Sequence, residues 1–178
     1  MMSLLGQLHH ELLMTGLFAE TYRIGDRVNK VYRKYPDDDD ATEESIKATH
    51  NEASIYILLG NHARIAEYLF IDPSKTYIEL KYYSNGNLKE YLEKYRPQIE
   101  DARRKFWARQ IVESAEYIHK MGVRHSDFRL EQWLLDEMLN AQLSDFNASG
   151  YDGNAERGLR GSEAIGVEDA FFATGPYR

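Results

Sequence analysis

Two aspartates that could carry acid–base or metal chemistry lie 18 residues apart in the second half of the chain. Asp127 follows His125 just after a long helical segment, and Asp145 ends a short apolar, strand-like segment. Two carboxylates at such positions can face one cleft, where one accepts a proton and the other holds a cation. Taken singly, each aspartate is more typical of a turn residue, and His125 of a packed, hydrogen-bonded side chain.

A lysine and a glutamate in the first half form a second candidate pair. Lys30 lies in a β-rich segment, and Glu52 follows 22 residues later within a helical segment. The helical period puts Glu52 beside the inward-facing Thr49 and Ala53 and so near the sheet, which predicts an ion pair with Lys30. Without the two aspartates, the simpler interpretation would be two charges exposed to water.

The residue inventory limits the classes of function. The chain has 178 residues, enough for one domain with a short flank. It carries 22 Lys and Arg against 29 Asp and Glu, a net charge of −7, which disfavours a nucleic-acid partner. The absence of Cys excludes disulfides, Cys-based zinc sites and thiol nucleophiles. No apolar run approaches the roughly 20 residues of a membrane-spanning helix and no signal peptide is present, so we expect a soluble, cytoplasmic protein with no membrane partner.

The elements that must position these residues are a hairpin, a helix and a second hairpin, followed by helices. The first hairpin turns at Gly25 and Asp26, and the helix has Asp40 and Glu43 as a capping pair and Gly60 as its stop. Helices resume after the second hairpin, and Gly122 ends the longest one. The predicted strands are 20–24, 27–33, 68–71, 76–83, 132–135 and 141–144, and the predicted helices are 41–59, 88–95 and 99–121. This order predicts an α+β fold whose sheet lies early and whose helices lie late.

Four motifs, in matching order and spacing, resemble the protein kinase family. Residues 125–132, His-Ser-Asp-Phe-Arg-Leu-Glu-Gln, are similar to the catalytic loop H-R-D-L-K-P-E-N, and residues 145–147, Asp-Phe-Asn, are similar to D-F-G. Lys30 resembles the lysine of V-A-I-K, and Glu52 its ion-pair partner. Residues 78–88 are similar to the fifth strand, the hinge and the start of the next helix. The chain looks in particular like the divergent kinase-like domains common in fungi.

The resemblance implies a domain organisation. It predicts an N-terminal flank at residues 1–14, a kinase-like N-lobe at 15–83, with an antiparallel sheet and one main helix, and an incomplete helical C-lobe at 84–178. Residues 173–178 fall about where the family's A-P-E segment lies, which predicts that the supporting helices after it are absent. Loss of those helices would expose the apolar face formed by Trp107, Ile111 and Ile118.

The resemblance also implies ATP and Mg²⁺ as cofactors and transfer of the γ-phosphoryl group to a Ser or Thr hydroxyl of a protein. Such transfer needs a cation on the phosphates, a carboxylate on the metal and an acceptor for the hydroxyl proton. The implied catalytic residues are Asp127, Arg129 and Lys30. The implied cofactor-binding residues are Lys30, Glu52, Lys81, Tyr83 and Asp145, and the implied metal ligands are Asp145 and Gln132.

Departures from the family pattern keep other functions open. Gln132 replaces the metal-binding Asn, Asn147 replaces the Gly of D-F-G, and Ser126 replaces the Arg that pairs with a phosphorylated activation segment. Asn147 is tolerable if its position needs a left-handed backbone. The phosphate-covering G-x-G-x-x-G is absent, with only Gly16 near the expected turn. These departures favour, as the alternative, a pseudokinase that acts as a nucleotide-binding or scaffold module, and we expect little or no turnover from this chain alone.

Two further alternatives fit the sequence less well. A small-molecule kinase of the aminoglycoside or choline type shares the His-x-Asp loop, but it usually carries Asp-x-Asp at the metal, where this chain has Asn147. A metal site built from the six His has weak support because only His9 and His10 are adjacent, and that pair is more typical of a polar break in an amphipathic helix.

Overall fold

The computed structural model describes residues 10–152 of the chain. These residues form two compact units: a sheet unit of residues 10–61 and 67–82, and a helical unit of residues 62–66 and 83–152. The sheet unit contains β1 (Glu11–Thr15), β2 (Ala19–Ile24), β3 (Arg27–Tyr32), α1 (Asp39–Leu59), β4 (Tyr68–Ile71) and β5 (Tyr77–Lys81). The helical unit contains α2 (Leu88–Tyr95), α3 (Asp101–Lys120), β6 (Val123–Arg124), β7 (Trp133–Leu135), β8 (Ala141–Leu143) and β9 (Gly150–Tyr151).

The sheet unit is built on a five-stranded antiparallel sheet with the strand order β1-β2-β3-β5-β4. The central strand β3 sets Lys30 opposite Thr21 on one side and opposite Ile78 on the other. Val28 and Lys30 are buried and alternate with more exposed neighbours, as expected for a strand with one covered face. The α+β prediction, with its early sheet, is confirmed.

Helix α1 packs on β3 and β5 through small and aromatic side chains. Ala48, Ala53 and Tyr56 are completely buried. The predicted stop at Gly60 is confirmed by its left-handed φ of 61°. The predicted cap was wrong: Asp38, not Asp40, accepts the Ala41 amide at 2.9 Å, because the helix begins one residue after Asp38.

The helical unit buries one face of α3 against short strands. Trp107 and Ile118 are fully buried and Ile111 is 2% exposed. Helix α3 packs on β8 and β6, and the Trp107 indole donates to the Leu139 carbonyl at 2.7 Å. The predicted exposure of this face was therefore wrong, because the β7–β8 hairpin and its neighbours cover it.

A five-residue segment between α1 and β4, residues 62–66, belongs to the helical unit and lies alongside β8. Ala66 donates its amide to the Leu143 carbonyl at 2.8 Å, and the Leu143 amide donates to the Arg64 carbonyl at 2.8 Å. His62 stacks on Tyr117 of α3 with ring centroids 3.6 Å apart. Backbone pairing and ring stacking together fix this segment within the helical unit.

The domain boundaries at residues 14 and 83 stay a prediction, although β1 already begins at Glu11. Residues 1–9 and 153–178 lie outside the described part of the chain, as do His9 and the A-P-E-like residues 173–178. Within residues 10–152, no helix combines the length and the apolar character that crossing a membrane requires.

Candidate active site

A buried ion pair joins the centre of the sheet to α1. The Lys30 Nζ lies 2.9 Å from Glu52 Oε1 and 2.7 Å from Oε2, so that the ammonium contacts both carboxylate oxygens. The side chains are 7% and 1% exposed. Strand alternation turns Lys30 towards the helix, and the helical period turns Glu52 towards the sheet. The predicted ion pair is confirmed.

The carboxylate of Asp127, in the helical unit, receives three hydrogen bonds. Arg129 donates from Nε to Oδ1 at 2.5 Å and from Nη2 to Oδ2 at 2.7 Å, a two-point guanidinium–carboxylate contact. Gln132 adds a bond from Nε2 to Oδ2 at 2.6 Å. The hydrogen bonds from Arg129, with a smaller contribution from Gln132, hold the pKa of Asp127 below its ordinary value despite partial burial.

His125 anchors the loop that carries Asp127 to the segment that carries Asp145. Its ring is 1% exposed, and Nε2 lies 2.8 Å from the Ser144 carbonyl. The ring makes edge contacts with Phe128 in its own loop and with Phe146, which follows Asp145. His125 is thus a packed, hydrogen-bonded histidine that also aligns the two aspartate-bearing segments.

One of the two aspartates, Asp145, and the residue before the other, Ser126, adopt left-handed backbone conformations. Ser126 has a φ of 63° and Asp145 a φ of 65°. Such strain persists only where the surrounding structure holds it, and it is concentrated at functional sites. Asn147 does not share this conformation, so the left-handed backbone that would have explained its replacement of Gly lies two residues earlier.

Gln132 is buried and hydrogen-bonded to Asp127, and its role as a metal ligand stays a prediction. Its side chain is buried, and its carbonyl accepts from the Ser144 amide at 2.8 Å and from the Ser144 hydroxyl at 2.9 Å. Because Nε2 faces Asp127, the side-chain oxygen is turned to a different direction. Among residues 10–152, no three His, Asp or Glu side chains cluster as a metal cage. A cation here would therefore draw most of its ligands from phosphates and water, as Mg²⁺ commonly does.

The other two candidate residues lie near the end of the sheet unit and the start of the helical unit. Lys81 is the last residue of β5 and pairs with Arg27 in the ladder. Tyr83 is 5% exposed, its hydroxyl donates to Gln142 Oε1 and its carbonyl accepts from the Gly86 amide at 3.0 Å. The Tyr83 ring is therefore turned into the helical unit, and the predicted ligand roles of both residues stay predictions.

The structure brings five of the eight candidate residues together in two groups, one in each unit. Lys30 and Glu52 meet in the sheet unit, and Asp127, Arg129 and Gln132 meet in the helical unit. Sequence reasoning missed Arg33 and Tyr35, whose side chains donate hydrogen bonds to carbonyl groups of the β1–β2 turn. Their signal was weak, since it consisted only of a cation and an aromatic ring just after the lysine-bearing strand.

Comparison with known proteins gives one family and many relatives. The model of the protein kinase domain matches residues 9–166. The chain is 39% identical over 82 residues, 46% of its length, to the carbon catabolite-derepressing protein kinase of Secale cereale. It is 34% identical over 113 residues, 62% of its length, to the NUAK family SNF1-like kinase 1 of Mus musculus.

A third relative is the serine/threonine-protein kinase PKH2 of Candida albicans, 31% identical over 109 residues, or 60% of this chain. The matched segments cover only 16%, 17% and 11% of the three relatives, respectively. The chain thus corresponds to a small part of each of these proteins.

Proposed function

The chain belongs to the protein kinase family, and from this premise we propose that it binds ATP with Mg²⁺ and transfers the γ-phosphoryl group to a Ser or Thr hydroxyl of a protein. The observation that carries the proposal is the buried Lys30–Glu52 ion pair. Burying two charges is costly, and replacing such a pair by apolar residues is often neutral or stabilising. A role for the ammonium in binding an anion gives a reason for its presence. The relative named as a serine/threonine-protein kinase supports the choice of acceptor.

In the sheet unit, Glu52 would orient the Lys30 ammonium, and Lys30 would bind phosphate oxygens. The two carboxylate contacts fix the position of Nζ, while an ammonium has three protons to donate. A cation held in advance at the phosphates stabilises charge during transfer without reorganising.

In the helical unit, Asp127 would accept the proton of the attacking hydroxyl, and Arg129 would place positive charge near the transferred group. Asp145 and Gln132 supply one carboxylate and one amide oxygen, a donor set that suits Mg²⁺ when phosphates and water complete the coordination. Bound Mg²⁺ supplies neutralisation of the phosphate charge. The left-handed backbone of Asp145 would set the direction of its carboxylate.

A second candidate function is nucleotide binding or scaffolding without turnover. The three hydrogen bonds on the Asp127 carboxylate favour it, because a base whose oxygens are already occupied has less capacity to accept a further proton. The expectation of little turnover from this chain stays a prediction.

Two measurements on the same protein test the proposal. The first is calorimetric titration with Mg²⁺–ATP of the wild type, of Lys30→Met and of Lys47→Met. Lys47 is the matched control because it pairs with Glu43 on the exposed face of α1. Loss of one charged contact to phosphate should weaken binding about 10- to 100-fold in Lys30→Met and leave Lys47→Met unchanged.

The second measurement is phosphate transfer to a generic basic protein, with Asp127→Asn as the control. Transfer that is lost in Asp127→Asn supports the kinase. Binding that depends on Lys30, together with equal transfer in the wild type and Asp127→Asn, supports the second candidate. Equal ATP affinity in the wild type and Lys30→Met overturns the assignment of Lys30 to the nucleotide site, for the kinase and for the second candidate function alike.

A further inference from the structure

The turn between β1 and β2 has all three of its carbonyl groups bound by residues that follow β3. Arg33 donates from Nη1 to the Gly16 carbonyl at 3.0 Å and from its backbone amide to the Phe18 carbonyl at 2.9 Å. The Tyr35 hydroxyl donates to the Leu17 carbonyl at 2.6 Å. The Arg33 guanidinium also lies over the Tyr35 ring, 4.6 Å from its centroid. These two side chains and one amide therefore fix the orientation of every peptide group in the turn.

Fixing the carbonyl groups in this way leaves amide groups for another partner. The Gly16 amide donates across the turn to the Ala19 carbonyl at 2.8 Å. The amides of Leu17 and Phe18, by contrast, donate to no acceptor within residues 10–152. Successive backbone amides whose carbonyls point elsewhere create a positive, anion-binding concavity. The turn thus has the chemistry of an anion site although it lacks the glycine-rich sequence.

The turn lies on the strand pair that carries Lys30. Thr21 is opposite Lys30 in the register, and Ala19, at the end of the turn, is two residues before Thr21. That separation is about 7 Å along the strand, comparable with the length of a di- or triphosphate. Arg33 is three positions after Lys30, so its side chain leaves the opposite face of an extended chain. Arg33 accordingly binds the turn from the face opposite to Lys30 and does not serve as a second phosphate ligand.

We propose that Arg33 and Tyr35 are positioning residues for nucleotide binding: they hold the β1–β2 turn so that the Leu17 and Phe18 amides face the phosphate groups of a nucleotide bound at Lys30. The inference rests on the proposed function, since it takes the nucleotide at Lys30 as given. It assigns to two side chains the shaping of a turn that lacks the family's glycines.

The test compares the affinities of Mg²⁺–ATP and adenosine, because adenosine lacks the phosphates. Both are titrated into the wild type and into Arg33→Met, Tyr35→Phe and Arg23→Met. Arg23 is the matched control, since its Nε donates to the Gly25 carbonyl of the β2–β3 turn at 3.0 Å and its guanidinium lies 3.9 Å from the Tyr82 ring centroid. Arg23 therefore makes the same kind of contacts at the next hairpin turn along the chain.

Arg33→Met should weaken ATP binding about tenfold and leave adenosine binding unchanged. Tyr35→Phe, which removes a single hydroxyl from the surface of the fold, should weaken ATP binding about threefold. Arg23→Met should change neither ligand. Arg33→Lys, which keeps a cationic donor, should recover part of the loss.

Three results would overturn the inference. Equal losses for ATP and adenosine in both Arg33→Met and Tyr35→Phe would show a merely structural role. A loss of ATP affinity in Arg23→Met as large as that in Arg33→Met would show that removing an arginine contact from any hairpin turn has this effect. A wild type that binds neither ligand would overturn the proposed function together with this inference, whereas the first two results leave the proposed function intact.

Discussion

The two ion pairs of the candidate site are opposites in their exposure to water. Lys30 and Glu52 are 7% and 1% exposed, whereas Arg129 and Asp127 are 56% and 31% exposed. The first pair links strand β3 to the next element, helix α1, across 22 residues, and the second joins two residues of one loop. Both have short contacts, so distance alone does not distinguish them.

The difference in exposure separates a fixed contact from an exchangeable one. Removing one partner of a buried pair leaves an uncompensated charge, which typically costs about 3–5 kcal/mol. An exposed pair contributes about 0–1 kcal/mol, because water replaces either partner. In the proposed function, Arg129 would therefore leave Asp127 for a phosphoryl group at little cost, whereas Lys30 would bind phosphate without leaving Glu52.

Lys30→Met should have the largest effect on stability. The uncharged side chain leaves the Glu52 carboxylate buried without its cation, so the free energy of unfolding should fall by about 3–5 kcal/mol in urea denaturation. Lys47→Met, on the exposed face of α1, the helix that carries Glu52, should change the free energy of unfolding by less than about 0.5 kcal/mol.

The double variant Lys30→Met/Glu52→Leu sharpens this prediction. Because it removes both charges, it should recover most of the stability lost in Lys30→Met. A double variant as unstable as the sum of two independent losses would contradict the view that the single variant suffers from an unpaired charge.

Arg129→Gln should have a much smaller effect on stability. In this variant water can solvate the Asp127 carboxylate in place of the guanidinium, so the free energy of unfolding should fall by at most about 1 kcal/mol. Raising the ionic strength to about 1 M should reduce even that difference, since exposed charges are screened. A loss that approaches that of Lys30→Met, or that does not respond to salt, would make the contrast between the two pairs wrong.

The smallest expected effect is on the titration of Asp127. Arg129 holds the pKa of this carboxyl below its ordinary value, so Arg129→Gln should raise it. The measurement is a carboxyl-carbon NMR titration of the wild type and the variant. An unchanged Asp127 pKa would show that Arg129 does not hold the carboxylate in solution.

The sign of the pH dependence follows from the same shift. A lowered pKa means that the unfolded chain binds more protons, so the contribution of Asp127 is complete above the unfolded value of about 3.9. It is lost as the pH falls through the lower, folded value. The stability difference between the wild type and Arg129→Gln should thus be constant near neutral pH and shrink below about pH 4.

Much of the fold could be predicted because periodicity and turn residues are local signals. Apolar spacing gives the bounds of α2, and Gly60 ends α1 where the sequence suggests, whereas α1 begins two residues before its predicted start. Strand β1 was missed because its five residues are all exposed and do not alternate in polarity. It is defined by its pairing with β2, which is a property of the fold and not of the segment.

The candidate site could be predicted in part for a similar reason. Two periodicities, of a strand and of a helix, are enough to direct Lys30 and Glu52 at each other. The hydrogen bonds on Asp127 depend on a left-handed Ser126 and on loop geometry, which no spacing rule gives. The hydrogen bond from the Tyr35 hydroxyl to the Leu17 carbonyl joins residues 18 positions apart, and no repeating sequence pattern signals it.

The segment at residues 62–66 has a consequence for synthesis on the ribosome. Ile65 bridges to Leu143, so its strand partner is translated 78 residues later. At about 5–20 residues per second, that delay is roughly 4–16 s. During this time β4 and β5 can complete the sheet unit, while the segment that precedes them has no β8 to lie against. The nascent chain can therefore form its five-stranded sheet before residues 62–66, which precede β4, can pair with β8. A fragment that ends at residue 82 would contain Ile65 without its bridge partner Leu143.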